Sequence, residues 1–389
     1  MTRFFQYDEL TYPEVDALPR DCPLVIPLGK GYSMNRLSSA LGNPSQAGLL
    51  PPIPYGWDGS GLNVARSLLG ALLSNLLDSL RDDGFSCVFT LTPQGIDLGL
   101  GASRITLSHP SQVTPPLDLP PDEERGKVVA IPVGHTEQHA HHLPMSTDTL
   151  IIQAIGQGLA IAAPDQVFVL PVMPYGVSTH RQAFAGTLNC GGRAFEDFWL
   201  AVVDVLASRG FDRLYFLNGH GGNHSFLVNV VKYAGERHRR VFTALSWLYL
   251  SGPEGVASLN THRQSPIGGM GHACELETSL VLHLRPELVH MEKAVDETDF
   301  ISTPNYYMDW VESGSLIANP PWDDDSRTGA YGAGSLGTAA KGKAWLEAAI
   351  TEKVSHVAEI HEQHSRREAR RREGYGFWGK NKIKNTDQH

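Results

Sequence analysis

The length, composition and charge of the chain indicate a globular protein and exclude several functional classes. Its 389 residues, 41% of them hydrophobic, suffice for one large α/β domain or two smaller ones. A formal net charge of −10 argues against general nucleic-acid binding, because phosphate contacts need a basic surface.

Targeting signals and cysteine usage point to a cytoplasmic protein. No run approaches the ~20 apolar residues that span a bilayer, and the N-terminus lacks the basic-then-apolar order of a signal peptide. We therefore expect no membrane contact. The four cysteines lie far apart without a CxxC pair, so free thiols are predicted.

The first third of the chain has a strand, helix and strand pattern. Apolar runs at Leu24–Leu28 and Val88–Leu91 predict two strands, and leucines between them recur at helical spacing up to the stop signal Gly84. A Pro-rich segment with the composition of a linker follows. The predicted division of the chain is a first half at 1–108, a linker at 109–122, a second domain at 123–365 and a basic tail at 366–389.

A predicted buried strand at Val128–Val133 is followed at once by side chains of the kind that bind metals. Charged and polar groups at the edge of a core must be paired or coordinated, because burying them alone is costly. A divalent metal is the simplest partner. The candidates in this stretch are His135, Glu137, His139, His141, His142 and Asp148.

Strands and helices then alternate. Helices are predicted at Thr149–Ile161 and Ala194–Arg209, and strands at Val167–Val172 and Leu214–Leu217. This order predicts an α/β fold with a mainly parallel sheet and right-handed crossovers, with ligands beyond the carboxyl ends of the strands. His220, in an Asn-Gly-His-Gly-Gly-Asn loop, falls at such an end.

The two halves share an internal repeat. The segment Val25–Gly29 pairs with Ala130–Gly134 at an offset of 105, and Leu50–Gly56 pairs with Leu170–Gly176 at an offset of 120. The first half is therefore predicted to be a shortened, degenerate copy that binds no metal; the alternative is chance similarity of common turn sequences. The residues that stand where Glu137, His139, Asp148 and His220 would be are Tyr32, Met34, Asn43 and Gln94.

Spacing suggests how the candidate ligands could meet. Glu137 and His139 are two residues apart, so in an extended segment they point the same way. Asp148 could fold back beside them and bridge two cations, and a water held between such cations becomes a hydroxide nucleophile. The glycines around His220 allow close backbone approach to a ligand.

The segment Gly271–Pro286 is predicted to be a helix that completes the site. His272 and Glu275 are three residues apart and share one helical face, whereas Glu277 lies about 200° from Glu275. We choose Glu275 as a metal ligand and His272 as the catalytic proton shuttle. Glu277 is assigned a supporting catalytic role at the edge of the site.

Three motifs, EQHAHHLPMSTD, NGHGGN and HACELETSLVLHLRPELV, resemble signature segments of the creatininase (creatinine amidohydrolase) family. The similarity runs from about Val128 to His364. It implies a layered α/β fold, hydrolysis of a C–N amide bond, usually in a homo-oligomer, and two divalent ions, Zn²⁺ first, with Mn²⁺ or Fe²⁺ as alternatives. By motif position, one ion would be held by Glu137, Asp148 and His220 and the other by His139, Asp148 and Glu275.

Departures from the family pattern bear on the substrate. Creatinine-hydrolysing members carry a glutamate where Gly222 stands and a substrate-covering tryptophan where Gly268 stands, and the usual Phe-Pro-Gly-Thr reads Phe184-Ala185-Gly186-Thr187. We therefore predict a hydrolase of another small-molecule amide, a lactam, cyclic amide or formamide. The alternatives are a peptidase-like maturation enzyme, as in mycofactocin biosynthesis, and a non-catalytic binding or assembly subunit.

The remaining polar residues are assigned more ordinary roles. Candidates to line the substrate pocket are Tyr175, Ser178, His180 and Trp247. His142 matches a family position and could support the metal ligands. The histidines predicted to be surface or hydrogen-bonded core residues are His135, His141, His238, His283, His290 and His361.

Overall fold

The computed structural model describes residues 2–107, 124–179, 183–310 and 315–375. Two parallel sheets form its frame. The strands of the first sheet, in spatial order β1-β3-β2-β4-β5, are β1 (Arg3–Gln6), β2 (Leu24–Pro27), β3 (Gln46–Leu49), β4 (Val88–Pro93) and β5 (Arg104–Leu107). Those of the second, in the order β7-β6-β8-β9, are β6 (Val128–Val133), β7 (Val167–Val169), β8 (Arg213–Asn218) and β9 (Phe242–Leu245).

Helices cover both sheets, and a short antiparallel pair, β10 (Met270–His272) with β11 (Tyr331–Gly332), lies beside the second. The α-helices are α1 (Tyr12–Asp16), α2 (Met34–Ala40), α3 (Arg66–Asp82), α4 (Thr147–Ala162), α5 (Gly192–Ser208), α6 (His224–Arg237), α7 (Pro253–His262), α8 (Glu275–Leu284) and α9 (Ala339–Arg372). Residues 366–372 of the predicted tail thus belong to α9. The predicted linker 109–122 lies outside the described residues.

Strand β6 shows why the second domain is layered. All six of its residues are buried, and a strand covered on both faces needs such a continuous apolar run. Val129 and Ile131 point into the core that α5 covers, whereas Val128 and Ala130 point into the core that α4, α8 and α9 cover. The predicted αβα layering around a parallel sheet is confirmed.

The two halves share one hydrophobic core. Helices α3 and α5 pack against each other, and the core they build includes Leu24 of the first sheet and Val129 of the second. Six buried leucines of α3 contribute to it, and full burial of each such side chain is worth about 1.5–3 kcal/mol. The first half is therefore an integral layer of the fold. These leucines are Leu69, Leu72, Leu73, Leu76, Leu77 and Leu80.

Backbone hydrogen bonds correspond between the halves. The Gly29 N–H donates to the Ile53 carbonyl at 2.9 Å, and the Gly134 N–H donates to the Met173 carbonyl at 2.9 Å. These pairs are related by the offsets of 105 and 120 that the sequence comparison gives. The strand order β3-β2-β4-β5 also matches β7-β6-β8-β9. Both correspondences are those expected of an internal repeat.

The structure bears on two predictions made from composition, the state of the cysteines and the presence of a membrane-spanning helix. All four cysteines carry free thiols, as predicted. Within the described ranges, none of the helices has the length and apolar character of a membrane span.

Candidate metal centre

The sheet topology brings the predicted metal-binding segments together. Strands β6 and β8 are hydrogen-bonded neighbours, with Val133 opposite Asn218, so the residues that follow them meet at one edge. The rings of His135 and His220 lie 4.3 Å apart there. Asp148 comes from the first turn of α4, which follows the β6 loop.

One group of ligand atoms gathers around His220. Its Nδ1 lies 3.2 Å from Glu137 Oε1 and 3.1 Å from Asp148 Oδ2. All three side chains are at least nine-tenths buried. Two carboxylates and one imidazole at these distances suit a divalent cation such as Zn²⁺ or Mn²⁺.

A second group gathers on the other side of the same aspartate. His139 Nε2 lies 3.3 Å from Asp148 Oδ1 and 3.8 Å from Glu277 Oε1. His139, Asp148 and Glu277 form a buried set whose ligand atoms lie within 4.8 Å of one another. Asp148 therefore presents one carboxylate oxygen to each group, as a bridging ligand would.

Backbone carbonyls fix the histidine tautomers. His139 Nδ1 lies 3.1 Å from the Glu137 carbonyl, and His220 Nε2 lies 3.1 Å from the Val177 carbonyl. A carbonyl can only accept, so each of these nitrogens carries the proton and donates. In the neutral ring the other nitrogen then offers its lone pair to the carboxylates, which is the arrangement of metal-ligating histidines.

The buried polar atoms at the centre of the cluster test whether the residues fit metal ions. With the neutral tautomers given above, Glu137 Oε1, His139 Nε2 and Asp148 Oδ2 have no hydrogen-bond partner although they are fully buried, and the same is true of Glu277 Oε2. Leaving such atoms unsatisfied is expensive, because each has lost its water. A pair of divalent cations would satisfy all four, so the donor set fits a dinuclear site.

Without a cation, the carboxylates favour protons on the histidines. Burial lowers the pKa of His220, but the charges of Glu137 and Asp148 outweigh burial and raise it to about 10. Burial likewise lowers the pKa of His139, and Asp148 and Glu277 more than reverse this. The pKa values of Glu137 and Asp148 are lowered in turn, because the neighbouring histidines outweigh the effect of burial.

These raised pKa values predict that metal binding releases protons. A cation must displace the protons of His139 and His220, so its apparent affinity should rise with pH, by about tenfold per unit for each proton displaced. Calorimetric titration of the metal-free protein with Zn²⁺ in buffers of different ionisation enthalpy would count the protons. His139→Gln should release fewer. Affinity that does not change between pH 6 and 8 would contradict this account.

Glu275 lies away from the cluster, so the prediction that it is a metal ligand is wrong. Its carboxylate accepts the backbone N–H groups of Gln264 at 3.0 Å and Ser265 at 2.8 Å. It also pairs with Lys341 Nζ at 2.5 Å. These partners satisfy the buried charge, and Glu277 occupies the place predicted for Glu275.

The error has a local structural cause. The sequence analysis placed His272 and Glu275 on one helical face, but α8 begins at Glu275 and His272 belongs to β10. The helical spacing rule therefore does not relate these two residues. Only one of Glu275 and Glu277 faces the cluster, as predicted, but it is Glu277.

His272, which the sequence analysis predicts to be the proton shuttle, lies beside the cluster. Its Nε2 donates to the Gln138 carbonyl at 2.7 Å, which leaves Nδ1 facing Glu137 Oε1 at 3.5 Å. Burial and the neighbouring His139 lower its pKa, so the ring is neutral near pH 7. Its free lone pair thus faces the cluster.

His135 and Tyr249 are parts of the site that the sequence analysis missed. His135, predicted to be an ordinary core or surface residue, is fully buried, and its Nδ1 accepts the Gly176 N–H at 2.9 Å. Its Nε2 therefore carries the proton and lies 3.7 Å from Glu137 Oε2. Burial, followed by His220, lowers the pKa of His135 to about 3. It fits a role in orienting Glu137; its position directly after β6 was the available signal.

Tyr249 supports Asp148 from behind. The Tyr249 hydroxyl can donate its one proton to the Gly219 carbonyl at 2.6 Å or to Asp148 Oδ1 at 3.2 Å. No sequence pattern indicated Tyr249 as part of the site.

His142, which matches a family position, hydrogen-bonds Thr278 Oγ1 at 2.9 Å, one residue from Glu277.

Three of the four predicted pocket residues lie in the described part of the chain. Tyr175 is fully buried and donates to the Pro51 carbonyl at 2.5 Å, so it joins the two halves instead of lining a pocket. Ser178 is buried, and its carbonyl accepts from Asn189 at 2.8 Å. Trp247 follows β9 with 37% of its surface exposed. His180 lies outside the described residues.

Known proteins resemble part of this chain. The mycofactocin precursor peptide peptidase of Mycobacterium ulcerans (strain Agy99) is 34% identical over 168 residues, 41% of this chain and 60% of that protein. The creatinine amidohydrolase of Pseudomonas putida is 30% identical over 185 residues, 43% of this chain and 68% of that protein. The chain thus spans about 60% of the length of the first of these relatives.

The fold has solved counterparts too. The solved structure named "Creatininase Mn" superposes on this chain with a TM-score of 0.51 and 24% sequence identity. The superposition covers 60% of this chain and 91% of that one. At this identity the likeness shows the fold alone. The family model for creatinine amidohydrolase (creatininase) matches residues 118–357, which is more than half of the chain. This protein therefore belongs to the creatininase family.

Proposed function

We propose that this protein is a metal-dependent hydrolase that cleaves the C–N amide bond of a small molecule. Glu137, Asp148 and His220 would hold one divalent cation, and His139, Asp148 and Glu277 the other. The observation that carries the proposal is the shared Asp148, flanked on both sides by buried ligand atoms without partners. In the metal-free protein only protonated His139 and His220 could pair with the two oxygens of Asp148, and a cation on each side would replace those protons.

The residues around the cluster suit acyl transfer to water. Bound divalent cations supply Lewis acidity and lower the pKa of a water molecule. His272 Nδ1 would accept the proton of the attacking water as its oxygen bonds to the carbonyl carbon, and later return it to the nitrogen as the C–N bond breaks. His135 would keep Glu137 in place, and Tyr249 would do so for Asp148.

The backbone around Gly222 argues against creatinine as the substrate. A Cβ at this position would lie 2.4 Å from the Val177 carbonyl oxygen and 2.5 Å from His220 Nε2. A side chain there would require Val177 or His220 to shift, and these two residues are hydrogen-bonded to each other. Glycine therefore suits this position, and the glutamate that the family resemblance associates with creatinine hydrolysis is absent.

A peptide is the second candidate substrate. The supporting observation is the 34% identity to a protein named as a mycofactocin precursor peptide peptidase. Peptide and small-molecule amides need the same cations and the same proton transfers, so the cluster is compatible with either. Assembly into a homo-oligomer and a cytoplasmic location also stay predictions.

A substrate panel tests the proposed function. The protein, freed of metal with a chelator and reloaded with Zn²⁺ or Mn²⁺, would be assayed on lactams, N-formyl amines, short peptides and creatinine. We expect metal-dependent hydrolysis of at least one of the first three classes and none of creatinine. Two bound metals without hydrolysis of any amide would favour a binding or assembly subunit.

A further inference from the structure

A column of five rings in successive contact runs into the metal centre; its two outer contacts are stacked, with angles of 17° and 28°, and its two inner contacts are tilted, with angles of 52° and 33°. Neighbouring ring centres lie 4.3, 5.1, 4.5 and 4.2 Å apart along the column. The rings, from the outside inward, are Phe300, Tyr331, Trp322, His272 and His139. The column thus connects the segment between α8 and α9 to the proposed proton shuttle.

That segment is folded around one carboxylate. Glu297 accepts hydrogen bonds from the Ser326 hydroxyl at 2.6 Å, the Thr328 hydroxyl at 2.5 Å and the Arg327 N–H at 2.8 Å. Its backbone also exchanges two hydrogen bonds with Gly332. These bonds connect the turn that follows Trp322 to β11. They therefore fix the position of the indole relative to β11.

Trp322 packs against His272. The indole is 8% exposed, and its ring centre lies 4.5 Å from that of the imidazole at an angle of 52°, while the His139 ring centre lies 4.2 Å from the imidazole at 33°. The Gln138 carbonyl accepts from His272 Nε2 at 2.7 Å, and the Gln138 side-chain nitrogen lies 3.3 Å from the same atom. Contacts at one ring atom permit the imidazole to turn about it, and the contacts with Trp322 and His139 limit this turn.

We propose that Trp322 is a positioning residue that holds the His272 ring with Nδ1 aimed at the cluster. The inference rests on the proposed hydrolase function, in which His272 carries the proton. Misplacing a reacting group by about 1 Å costs roughly 10²-fold in rate. The segment around Glu297 would then contribute to catalysis by positioning Trp322, although it contributes no ligand to the cluster.

Kinetics of Trp322→Ala and Trp322→Phe test this role. On the best substrate of the panel, Trp322→Ala should lower kcat by roughly 10²-fold, with little change in KM and two metals still bound. Trp322→Phe should restore most of kcat, because a phenyl ring still packs on the imidazole. Trp57→Ala removes a similarly buried indole in the first half and should leave kcat unchanged. A rise in KM alone would overturn the proposal, because it would show that Trp322 contacts the substrate. Loss of metal would also overturn it, because it would show that Trp322 only maintains the structure of the metal site.

A spectroscopic readout separates this inference from the proposed function. In ¹⁵N-labelled protein loaded with Zn²⁺, His272, assigned with His272→Gln, should show one tautomer with the proton on Nε2 in the wild type and in Trp322→Phe. Trp322→Ala should show a mixture of tautomers or exchange broadening. An unchanged signal in Trp322→Ala would overturn the positioning role whether or not any amide is hydrolysed. A changed signal would support that role even if the panel finds no hydrolysis.

Discussion

Asp148→Asn should remove both metal ions and lower hydrolysis by roughly 10³-fold or more, the scale of losing several kcal/mol of transition-state stabilisation. Its two oxygens face His220 at 3.1 Å and His139 at 3.3 Å, so each cation would lose the same anionic ligand. An amide keeps one oxygen acceptor but turns an NH₂ group towards the other cation. Metal content after gel filtration, together with kcat on the best substrate, measures the effect.

The matched control lies near the other end of the same helix. Asp165→Asn makes the same chemical change at an exposed site just beyond α4, so it should leave both metal content and kcat as they are. If Asp148→Asn kept two cations with unchanged affinity, Asp148 would not be the shared ligand.

The second large predicted effect distinguishes the roles of Glu275 and Glu277, which are two residues apart. Glu277→Gln should lose one cation and at least roughly 10³-fold in activity, because Glu277 Oε1 faces His139 and Oε2 has no hydrogen-bond partner. The stability of the metal-free protein should change little, since Glu277 Oε1 lies 3.8 Å from His139 Nε2, beyond hydrogen-bond distance, and Oε2 has no partner. Metal analysis and chemical denaturation of the same samples measure the two quantities.

Glu275→Gln should show the opposite pattern. It weakens the ion pair with Lys341 and the bonds from Gln264 and Ser265, which should lower the free energy of unfolding by about 1–3 kcal/mol. Both cations should remain. Metal loss in Glu275→Gln but not in Glu277→Gln would reverse the assignment.

Much of the fold could be predicted because local patterns and topology agree. Val128–Val133 is apolar throughout because both of its faces are covered, and the leucines of α3 mark a single buried stripe. Because these short strands are followed by polar loops, the sequence predicted the cluster at the carboxyl ends of β6 and β8. The parallel sheet followed from these features, and the layered αβα arrangement followed from the family resemblance.

The ligand set could be predicted only where one continuous segment supplied it. Glu137, His139 and Asp148 come from one loop, and their grouping follows from spacing. The choice between Glu275 and Glu277 depended on the residue at which α8 begins, and helix ends are among the least predictable features of a sequence.

Contacts between distant segments left no pattern in the sequence. Trp322 reaches His272 across 50 positions of the chain, and Tyr249 reaches Asp148 across 101. Tyr175 seemed suited to a pocket because it lies in a turn near the motifs, yet its hydroxyl bonds Pro51 of the first half. Such pairings are set by how the layers pack, which no local spacing encodes.

Anomalous diffraction from crystals of the Zn²⁺-loaded or Mn²⁺-loaded protein tests the central claim most directly. We predict two peaks about 3.5–4 Å apart, one between Glu137, Asp148 and His220 and the other between His139, Asp148 and Glu277. A single peak, or a peak beside Glu275 and Lys341, would contradict the account.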